Sequence, residues 1–341
     1  MDNLTHSLAG AVLGQLGLKK KTGLGMATLI IAANIPDIDA VATLLGGVQH
    51  LAIRRGITHG PLAMLILPII LAGIMIWFDN WQSRRGQKKW GRSPTRLPVH
   101  KGWLLTLAYI GCLSHPALDW LNSYGIRLLE PFSSRWFYGD SIFIIDIWIW
   151  AALIAGVWIS RRREKMKQAD WQRPAWISFA TVSAYIFTNG LITGKAEADT
   201  AIAVEQGSGV TPVQVVANPV PITFWRRDVI WQMTGRNGKI YGEAQFDLMN
   251  SEKLNWQVPL VQSNASPELI EKSKAMNADV RDFLFWARLP VFLKEDRTGA
   301  GPGFVLNISD MRFQSPVAQS RFSVQANISL DKLSTTEAGS K

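Results

Sequence analysis

Long apolar runs separated by basic loops are the feature that most restricts how this chain can fold. Residues 61–78 carry no charge over 18 positions, and residues 175–194 carry none over 20. Either run is long enough to cross the hydrocarbon of a bilayer as a helix. Two further runs, 103–118 and 142–159, are apolar except for His115 and Asp146. The four runs predict helices that lie in a membrane.

The basic residues are unevenly placed. The net charge is +10, yet residues 201–341 contain 15 basic and 14 acidic residues, so the excess lies in the first 200 positions. There it is concentrated between apolar stretches, at 19–21, 79–101 and 160–174. Such loops stay on the cytoplasmic side of a membrane. We therefore predict a multi-pass inner-membrane protein with these loops inside, and no direct binding of nucleic acid.

This topology brings histidine and aspartate residues from four segments to one face of the membrane. The helix of 103–118 travels outward and ends near His115, with Asp119 one turn later on the same face. Two short apolar stretches near the N-terminus also have their polar ends outside, His6 on the first and Asp37 with Asp39 on the second. His59, just before run 61–78, lies on the same side. Imidazole and carboxylate groups suit zinc, and ionisable groups at membrane depth mark a functional site by default. The predicted metal ligands are His6, Asp37, Asp39, His59, His115 and Asp119.

Two of these assignments have alternatives or conditions. Asp37 and Asp39 follow Pro36, which disfavours helix in the residue before it, so we expect them in non-helical chain. A turn could direct both carboxylates to one ion, although two side chains at that spacing cannot share a helix face. The alternative for His115 and Asp119 is a helix-end histidine hydrogen-bonded to its own aspartate, with no metal.

Three other residues narrow the choice of chemistry. The only cysteine, Cys112, lies in an apolar run, which excludes a disulfide framework and a zinc site built on thiolates. His50 and His100 lack a carboxylate at ligand spacing. We interpret His100 as a solvated residue of a cytoplasmic loop.

The chain changes character after about residue 194. Apolar and polar residues then alternate in the manner of strands at 239–248 and 321–330, and 268–289 has a helical pattern. The predicted fold class is an α-helical membrane protein, a multi-pass helical bundle, with a C-terminal α+β soluble domain. The predicted domains are a membrane domain at 1–194 with the metal site, a periplasmic α+β domain at 195–332, and a disordered tail at 333–341.

Four motifs in order give the chain a family resemblance. They are Asp2-Asn3-Leu4-Thr5-His6-Ser7, Asn34-Ile35-Pro36-Asp37-Ile38-Asp39, Arg55-Gly56-Ile57-Thr58-His59 and Ser114-His115-Pro116-Ala117-Leu118-Asp119. With Leu121-Asn122-Ser123-Tyr124-Gly125, they resemble the YdjM-like family over residues 1–160. The resemblance implies a bacterial inner-membrane protein of the metal-dependent hydrolase type, in a family with LexA binding in one branch. The family is remotely similar to zinc-dependent phospholipase C and the single-strand-specific zinc nucleases, which are helical.

One position departs from the family pattern. Members often read His-Arg-Gly-x-Thr-His-Ser, whereas this chain has Arg54 in place of the first histidine and Gly60 in place of the serine. Arginine stays protonated and cannot ligate a metal, so either one metal position is weakened or that histidine is not a ligand. We predict that Arg54 and Arg55 instead bind a substrate phosphate.

The function that these patterns favour is metal-dependent hydrolysis at the outer membrane interface. One to three divalent ions, with zinc preferred, would serve a phosphoester or lipid-linked substrate, with membrane lipid as the partner. Asp140 or Asp146 is predicted to orient a ligand imidazole or act as a general base. For Asp146 the alternative is a buried partner for Arg127 or Arg135.

The rival function is non-enzymatic. In it a structural metal site ties short helices of a membrane protein together, and the soluble domain binds a protein partner that the sequence does not identify. A transporter is disfavoured, because transporter sites lie near the middle of the bilayer and these ligands fall at helix ends.

Overall fold

The computed structural model describes residues 1–86, 90–235, 238–296, 303–314 and 321–329. The predicted tail at 333–341 lies outside these residues. The chain divides into two compact units, each assembled from separate stretches of sequence. The first unit contains residues 1–39, 55–193 and 219–225, and the second unit contains residues 40–54, 194–218 and 226–341.

Helices dominate the described part of the first 208 residues. They are α1 (Asn3–Gln15), α2 (Gly25–Ala32), α3 (Gln49–Ile53), α4 (Pro61–Arg85), α5 (Lys101–Trp120), α6 (Ile147–Lys165) and α7 (Arg173–Ser208). Three 3-10 helices lie among them, at Leu18–Lys21, Ile35–Leu45 and Ile57–His59. The last two carry three of the predicted metal ligands: Asp37 and Asp39 on one, and His59 on the other.

Among the described residues, α4 and α7 are long and apolar enough to cross a membrane. A third span results if α2 and Ile35–Leu45, which are bent by 40° at the break between them, form one broken span. α5 and α6 form where runs 103–118 and 142–159 predict helices, but both include polar residues and do not reach the same apolar length. The prediction of a multi-pass bundle is therefore supported in part.

α6 begins later and α7 ends later than the apolar runs predict, and local contacts explain both differences. α6 begins at Ile147 rather than at residue 142, because Asp146 Oδ1 accepts the N–H groups of Trp148 at 3.0 Å and Ile149 at 3.1 Å. α7 continues beyond residue 194, where the sequence is rich in alanine and Lys195 pairs with Asp199 one turn later at 3.0 Å.

Two glycines let α1 and α5 pack closely against α2. A Cβ at Gly10 of α1 would lie 2.7 Å from the carbonyl oxygen of Leu29, and a Cβ at Gly111 of α5 would lie 2.8 Å from the same oxygen. With a larger residue at either glycine, the helix could not lie so close to α2. Small residues are common at contacts between membrane helices for this reason. His6 lies one turn from Gly10 and His115 one turn from Gly111, so this packing brings the two histidines together.

The second unit is built on two sheets. β1 (Gln214–Pro219), β2 (Arg226–Gly235), β3 (Gly238–Asp247) and β4 (Leu254–Gln262) form one sheet in that order, and β5 (Pro290–Asp296), β6 (Gly303–Asp310) and β7 (Ser323–Ser329) form the other. The pairs β2–β3, β3–β4, β5–β6 and β6–β7 are antiparallel. β3 and β7 lie where strands are predicted, with residue 330 outside the described part.

Two helices stand where the sequence predicts one at 268–289. They are α8 (Pro267–Met276) and α9 (Ala278–Trp286). Asn277 separates them, because its side-chain oxygen accepts the N–H of Asp279 at 2.9 Å and caps α9. Sheets and helices together confirm a C-terminal part that contains both α and β structure.

A buried carboxylate connects the end of β6 to the segment before β5. Asp310 is fully buried, and its Oδ2 accepts the N–H of Arg288 at 2.7 Å and an Nη2–H of Arg312 at 2.8 Å. Burial by itself raises the pKa of Asp310, but the charge and hydrogen bonds of Arg312 outweigh it and hold the pKa below its ordinary value. The ionised carboxylate therefore favours the folded state at neutral pH.

We expect Asp310→Asn to lower the free energy of unfolding by about 3–5 kcal/mol at pH 7, because it removes the carboxylate that balances the buried Arg312. Since the folded-state pKa is depressed, the wild-type contribution is present above the ordinary aspartate pKa of about 4 and is lost as the pH falls through the folded value. The free energy of unfolding of the full chain, measured at pH 7 and at a pH below the folded-state pKa, tests both expectations. The control, Asp247→Asn, removes the partner of the part-exposed Arg226 and should cost less than about 1 kcal/mol. If both variants lost the same free energy of unfolding, the stabilising role of the buried Asp310–Arg312 pair would be contradicted.

We expect Gly111→Ala to destabilise the first unit by about 1–3 kcal/mol, because the new methyl group would lie 2.7 Å from the Cβ of Ala32 and force α5 away from α2. Gly73→Ala in α4 is the matched control, since a Cβ there meets nothing within 4 Å. Thermal unfolding of both variants in detergent checks the difference. A Gly111→Ala protein as stable as Gly73→Ala would show that the close packing is not required.

Candidate metal centre

The last turns of α5 carry an imidazole and a carboxylate on its buried side. His115 and Asp119 are both fully buried and are separated by one helical turn. His115 Nε2 and Asp119 Oδ2 are 3.6 Å apart, which exceeds hydrogen-bond length. The alternative of a histidine simply hydrogen-bonded to its own aspartate therefore does not describe this pair.

The other nitrogen of His115 fixes the ring. Nδ1 lies 2.7 Å from the carbonyl oxygen of Ala33, which follows the last residue of α2. A carbonyl only accepts hydrogen bonds, so Nδ1 is assigned the proton and Nε2 carries a lone pair. That lone pair faces Asp119 Oδ2 and also Asp37 Oδ1, at 3.7 Å.

His59 is fixed in the same way on the 3-10 helix Ile57–His59. Its Nδ1 lies 2.9 Å from Thr58 Oγ1, whose hydroxyl lies 2.9 Å from Asp39 Oδ2. The hydroxyl donates to the carboxylate and accepts from the ring, so Nδ1 is again assigned the proton. His59 Nε2 then points its lone pair at Asp119 Oδ2, 3.6 Å away.

The two imidazoles therefore present unprotonated nitrogens to each other. His59 Nε2 and His115 Nε2 are 3.1 Å apart, with neither assigned a proton. Two lone pairs repel at this distance unless a cation lies between them. Both rings have the supporting partner that metal-ligating histidines use on their other nitrogen.

Four ligand atoms converge at this point. One atom each from Asp37, His59, His115 and Asp119 lies within 4.8 Å of all the others. Zinc bonds of about 2.0–2.2 Å in a tetrahedron separate neighbouring donors by roughly 3.3–3.6 Å, close to the distances given above. Two imidazole nitrogens and two carboxylate oxygens fit zinc in number, type and spacing.

Asp39 is outside this group, although the sequence pairs it with Asp37. Both aspartates lie on the 3-10 helix Ile35–Leu45 rather than in non-helical chain. Residues two apart on a 3-10 helix point about 240° apart around its axis, so the two carboxylates diverge. Asp39 Oδ2 accepts the N–H of Arg55 at 2.7 Å as well as the Thr58 hydroxyl, and it holds the segment that carries His59.

His6 also lies beside the group rather than in it. Its ring stacks on His115 with centroids 3.8 Å apart and planes 18° apart, and its Nε2 is 3.2 Å from Asp119 Oδ1. Its Nδ1 is buried with no hydrogen-bond partner among the described residues. The backbone nitrogen of Met1 contacts the same Asp119 oxygen. His6 thus restrains both residues that α5 contributes.

Arg55 does not present its guanidinium to a phosphate as predicted. It is buried, its Nε pairs with Asp119 Oδ2 at 3.0 Å, and its Nη1 donates to Asn122 Oδ1 at 2.9 Å. The planar fork also lies over the ring of Tyr124, with 4.7 Å from Cζ to the centroid. Arg55 is therefore placed to orient Asp119. Arg54 caps the C-terminus of α3 and is assigned to the second unit, and its contact with a phosphate stays a prediction.

The two predicted catalytic carboxylates have different surroundings. Asp146 caps α6, and its Oδ2 accepts the hydroxyl of Tyr185 at 3.0 Å, so it serves helix packing rather than a ligand histidine. Of the two alternative partners, Arg127 pairs with Glu130 at 3.6 Å, and the guanidinium of Arg135 lies over the ring of Phe137. Asp140 is buried with a φ of 46°, and its carbonyl accepts the hydroxyl of Thr193 at 2.7 Å. Its role as a general base stays a prediction.

Sequence reasoning missed three supporting groups: the Thr58 hydroxyl, the Asn122 amide and the Ala33 carbonyl. Thr58 and Asn122 lie inside the motifs that carry the family resemblance, so the motifs contained this signal. The Ala33 carbonyl has no side-chain signature. His100, predicted to be a solvated loop residue, is exposed in the loop before α5, and it also caps that helix, with its Nδ1 accepting the N–H of Trp103 at 3.2 Å.

Charged groups of both signs meet at the centre. Asp37, Asp39 and Asp119 supply carboxylates, while the guanidinium of Arg55 pairs with Asp119 Oδ2 and the terminal ammonium of Met1 contacts Asp119 Oδ1. A second buried guanidinium, Arg127, lies nearby. Burial lowers its pKa, while Glu130 and Asp39 act to raise it.

Comparison with known proteins identifies a family for most of the first unit. A family model described as YdjM inner membrane protein matches residues 1–196, more than half of the 341 residues of the chain. This range contains the whole candidate metal centre. No curated protein and no solved structure matches the chain. The remote similarity to zinc-dependent phospholipase C stays a prediction.

We expect Asp37→Asn to remove most of the bound zinc and Asp39→Asn to weaken zinc binding by about 10–100-fold, because the first residue is a ligand and the second only orients one. The two positions lie on the same short helix, so each is a control for local folding of the other. Zinc per chain after dialysis against graded chelator measures the difference.

His59→Ala and His115→Ala should also lose zinc. His50→Ala should retain it, since the His50 ring contacts only the Gly47 carbonyl at 3.0 Å among the contacts that the structure describes. Full zinc content in folded His59→Ala and His115→Ala proteins would exclude the site.

Proposed function

We propose that this chain, which belongs to the YdjM inner membrane protein family, is a metal-dependent hydrolase. The observation that carries the proposal is the approach of His59 Nε2 and His115 Nε2 to 3.1 Å beside two carboxylates, with each ring held by a partner on its other nitrogen. When bound there, a divalent ion would supply Lewis acidity toward a phosphoryl or acyl oxygen and activate water. The preferred ion is zinc.

The residues of the chain would divide the remaining work. Asp37, His59, His115 and Asp119 bind the ion; Thr58, Asp39 and the Ala33 carbonyl hold the proton on each ring nitrogen that faces away from it. Arg55 and His6 restrain the two oxygens of Asp119, at 3.0 Å and 3.2 Å. Asp140, which is buried, is the candidate general base. The substrate class proposed is a phosphoester or a lipid-linked ester.

The side from which a substrate approaches follows from burial. His59, His115 and Asp119 are 0–1% exposed, whereas Asp37 is 8% exposed and lies on a short 3-10 segment rather than within a long helix. Asp37 is therefore the member of the group nearest to the surface. Substrate would reach the ion beside it.

The second candidate function is a structural metal site in a non-enzymatic membrane protein. The near-complete burial of three ligands favours it, because a buried ion could tie α5 to the two 3-10 segments without meeting a substrate. For either function we propose an inner-membrane location with several helices in the bilayer, the basic loops in the cytoplasm and the C-terminal part in the periplasm.

Hydrolysis of bis(p-nitrophenyl) phosphate and of a p-nitrophenyl ester by purified, zinc-loaded protein tests the proposal. We expect turnover that a chelator abolishes and zinc restores, and that falls at least about tenfold in Asp39→Asn at equal protein concentration. His50→Ala should match the wild type. Zinc that raises the melting temperature without any turnover would support the structural site and contradict the hydrolase.

A further inference from the structure

Each segment that carries a residue of the metal centre exposes a large apolar side chain beside it. These residues, termed the apolar rim, are Leu4 (45% exposed), Ile38 (52%), Ile57 (65%), Leu113 (50%) and Trp120 (44%). Leu4, Ile57 and Leu113 each precede a histidine by two positions, Ile38 lies between Asp37 and Asp39, and Trp120 follows Asp119.

Helical geometry explains the outward positions of Leu4, Ile57 and Leu113. Residues two apart point about 200° apart on an α-helix and about 240° apart on a 3-10 helix. A segment that turns its histidine inward therefore turns the residue two positions earlier outward. Small polar side chains could fill these outward positions in a protein surrounded by water, whereas here all five are large and apolar.

The rim continues the exposed apolar surface of α4. α4, which is long and apolar enough to span a membrane, begins two residues after His59. It exposes Leu62, Leu65 and Ile66 in its first two turns. Ile57 extends this apolar surface beyond the start of the helix, to the level of the His59 ligand.

We propose that the apolar rim contacts the acyl chains of the bilayer and that the substrate of the centre is a membrane lipid that arrives laterally, with its ester or phosphoester group at the level of Asp37. The substrate part of this inference rests on the proposed hydrolase function. Asp37, the ligand nearest to the surface, is adjacent to Ile38 on the rim, so a lipid whose chains contact Ile38 would present its ester region beside the ion. A water-soluble phosphoester would gain nothing from five exposed apolar side chains.

Spin labelling tests the lipid contact without reference to activity. The only cysteine, Cys112, is buried, so a nitroxide would attach to an introduced cysteine. We expect labels in Ile38→Cys and Ile57→Cys, each in zinc-loaded protein in lipid nanodiscs, to collide more with oxygen than with a water-soluble nickel chelate. Met249→Cys, at a residue that is 73% exposed in the second unit, should show the opposite ratio. Labels at both rim positions that favour the nickel chelate would overturn the proposal.

Substrate preference tests the second part of the proposal, the lateral arrival of a lipid substrate. Wild-type protein in nanodiscs should hydrolyse long-chain phospholipid of the same bilayer at least about tenfold faster than dibutyryl phospholipid at equal concentration in water. Equal or faster hydrolysis of the dibutyryl lipid would overturn lateral access and leave the hydrolase function standing. Absence of hydrolysis of both lipids and of both chromogenic esters would overturn the hydrolase function and the substrate assignment with it, and the spin labels would then decide the lipid contact alone.

Discussion

The first unit depends on one buried carboxylate. Asp119 has no exposed surface, and its two oxygens lie within 3.6 Å of His6, Arg55, His59 and His115. A buried ionised group is costly unless charges and hydrogen bonds compensate it. Residues of α1, the loop before α4 and α5 itself all supply that compensation. The positions of these segments are therefore linked through a single side chain.

Close helix packing makes this arrangement possible. Gly10 and Gly111 allow α1 and α5 to reach the backbone of α2 at Leu29, and α2 in turn ends where its Ala33 carbonyl can fix the His115 ring. The apolar contacts of the bundle thus determine the direction of a lone pair. A change of one methyl group in this packing would reach the ligand set without touching any ligand, since packed interiors transmit small displacements.

The same geometry explains why the centre suits a metal ion better than a simple polar network. A network of neutral histidines would place a donor against each acceptor, but the Nε2 atoms of His59 and His115 face each other without an assigned proton. Asp39 and Arg55, which the sequence suggested as ligand and substrate contact, are instead the groups that orient His59 and Asp119. The proposed division between ion binding by four residues and support by their neighbours follows from these contacts.

The sequence by itself determined the membrane character, the helical first unit, the α and β content of the C-terminal part and the residue types of the site. It could do so because apolar run length, strand alternation and the one-turn spacing of His115 and Asp119 are local properties of the chain. It did not separate Asp37 from Asp39, because their divergence depends on a 3-10 helix that the proline before them seemed to exclude. Nor could it assign Arg55 to Asp119 or Ala33 to His115, since those pairs are 64 and 82 positions apart in sequence. Only the tertiary packing of α1 and α5 on α2 decided which polar groups meet, because a buried charge takes whichever partners the fold brings within hydrogen-bond reach.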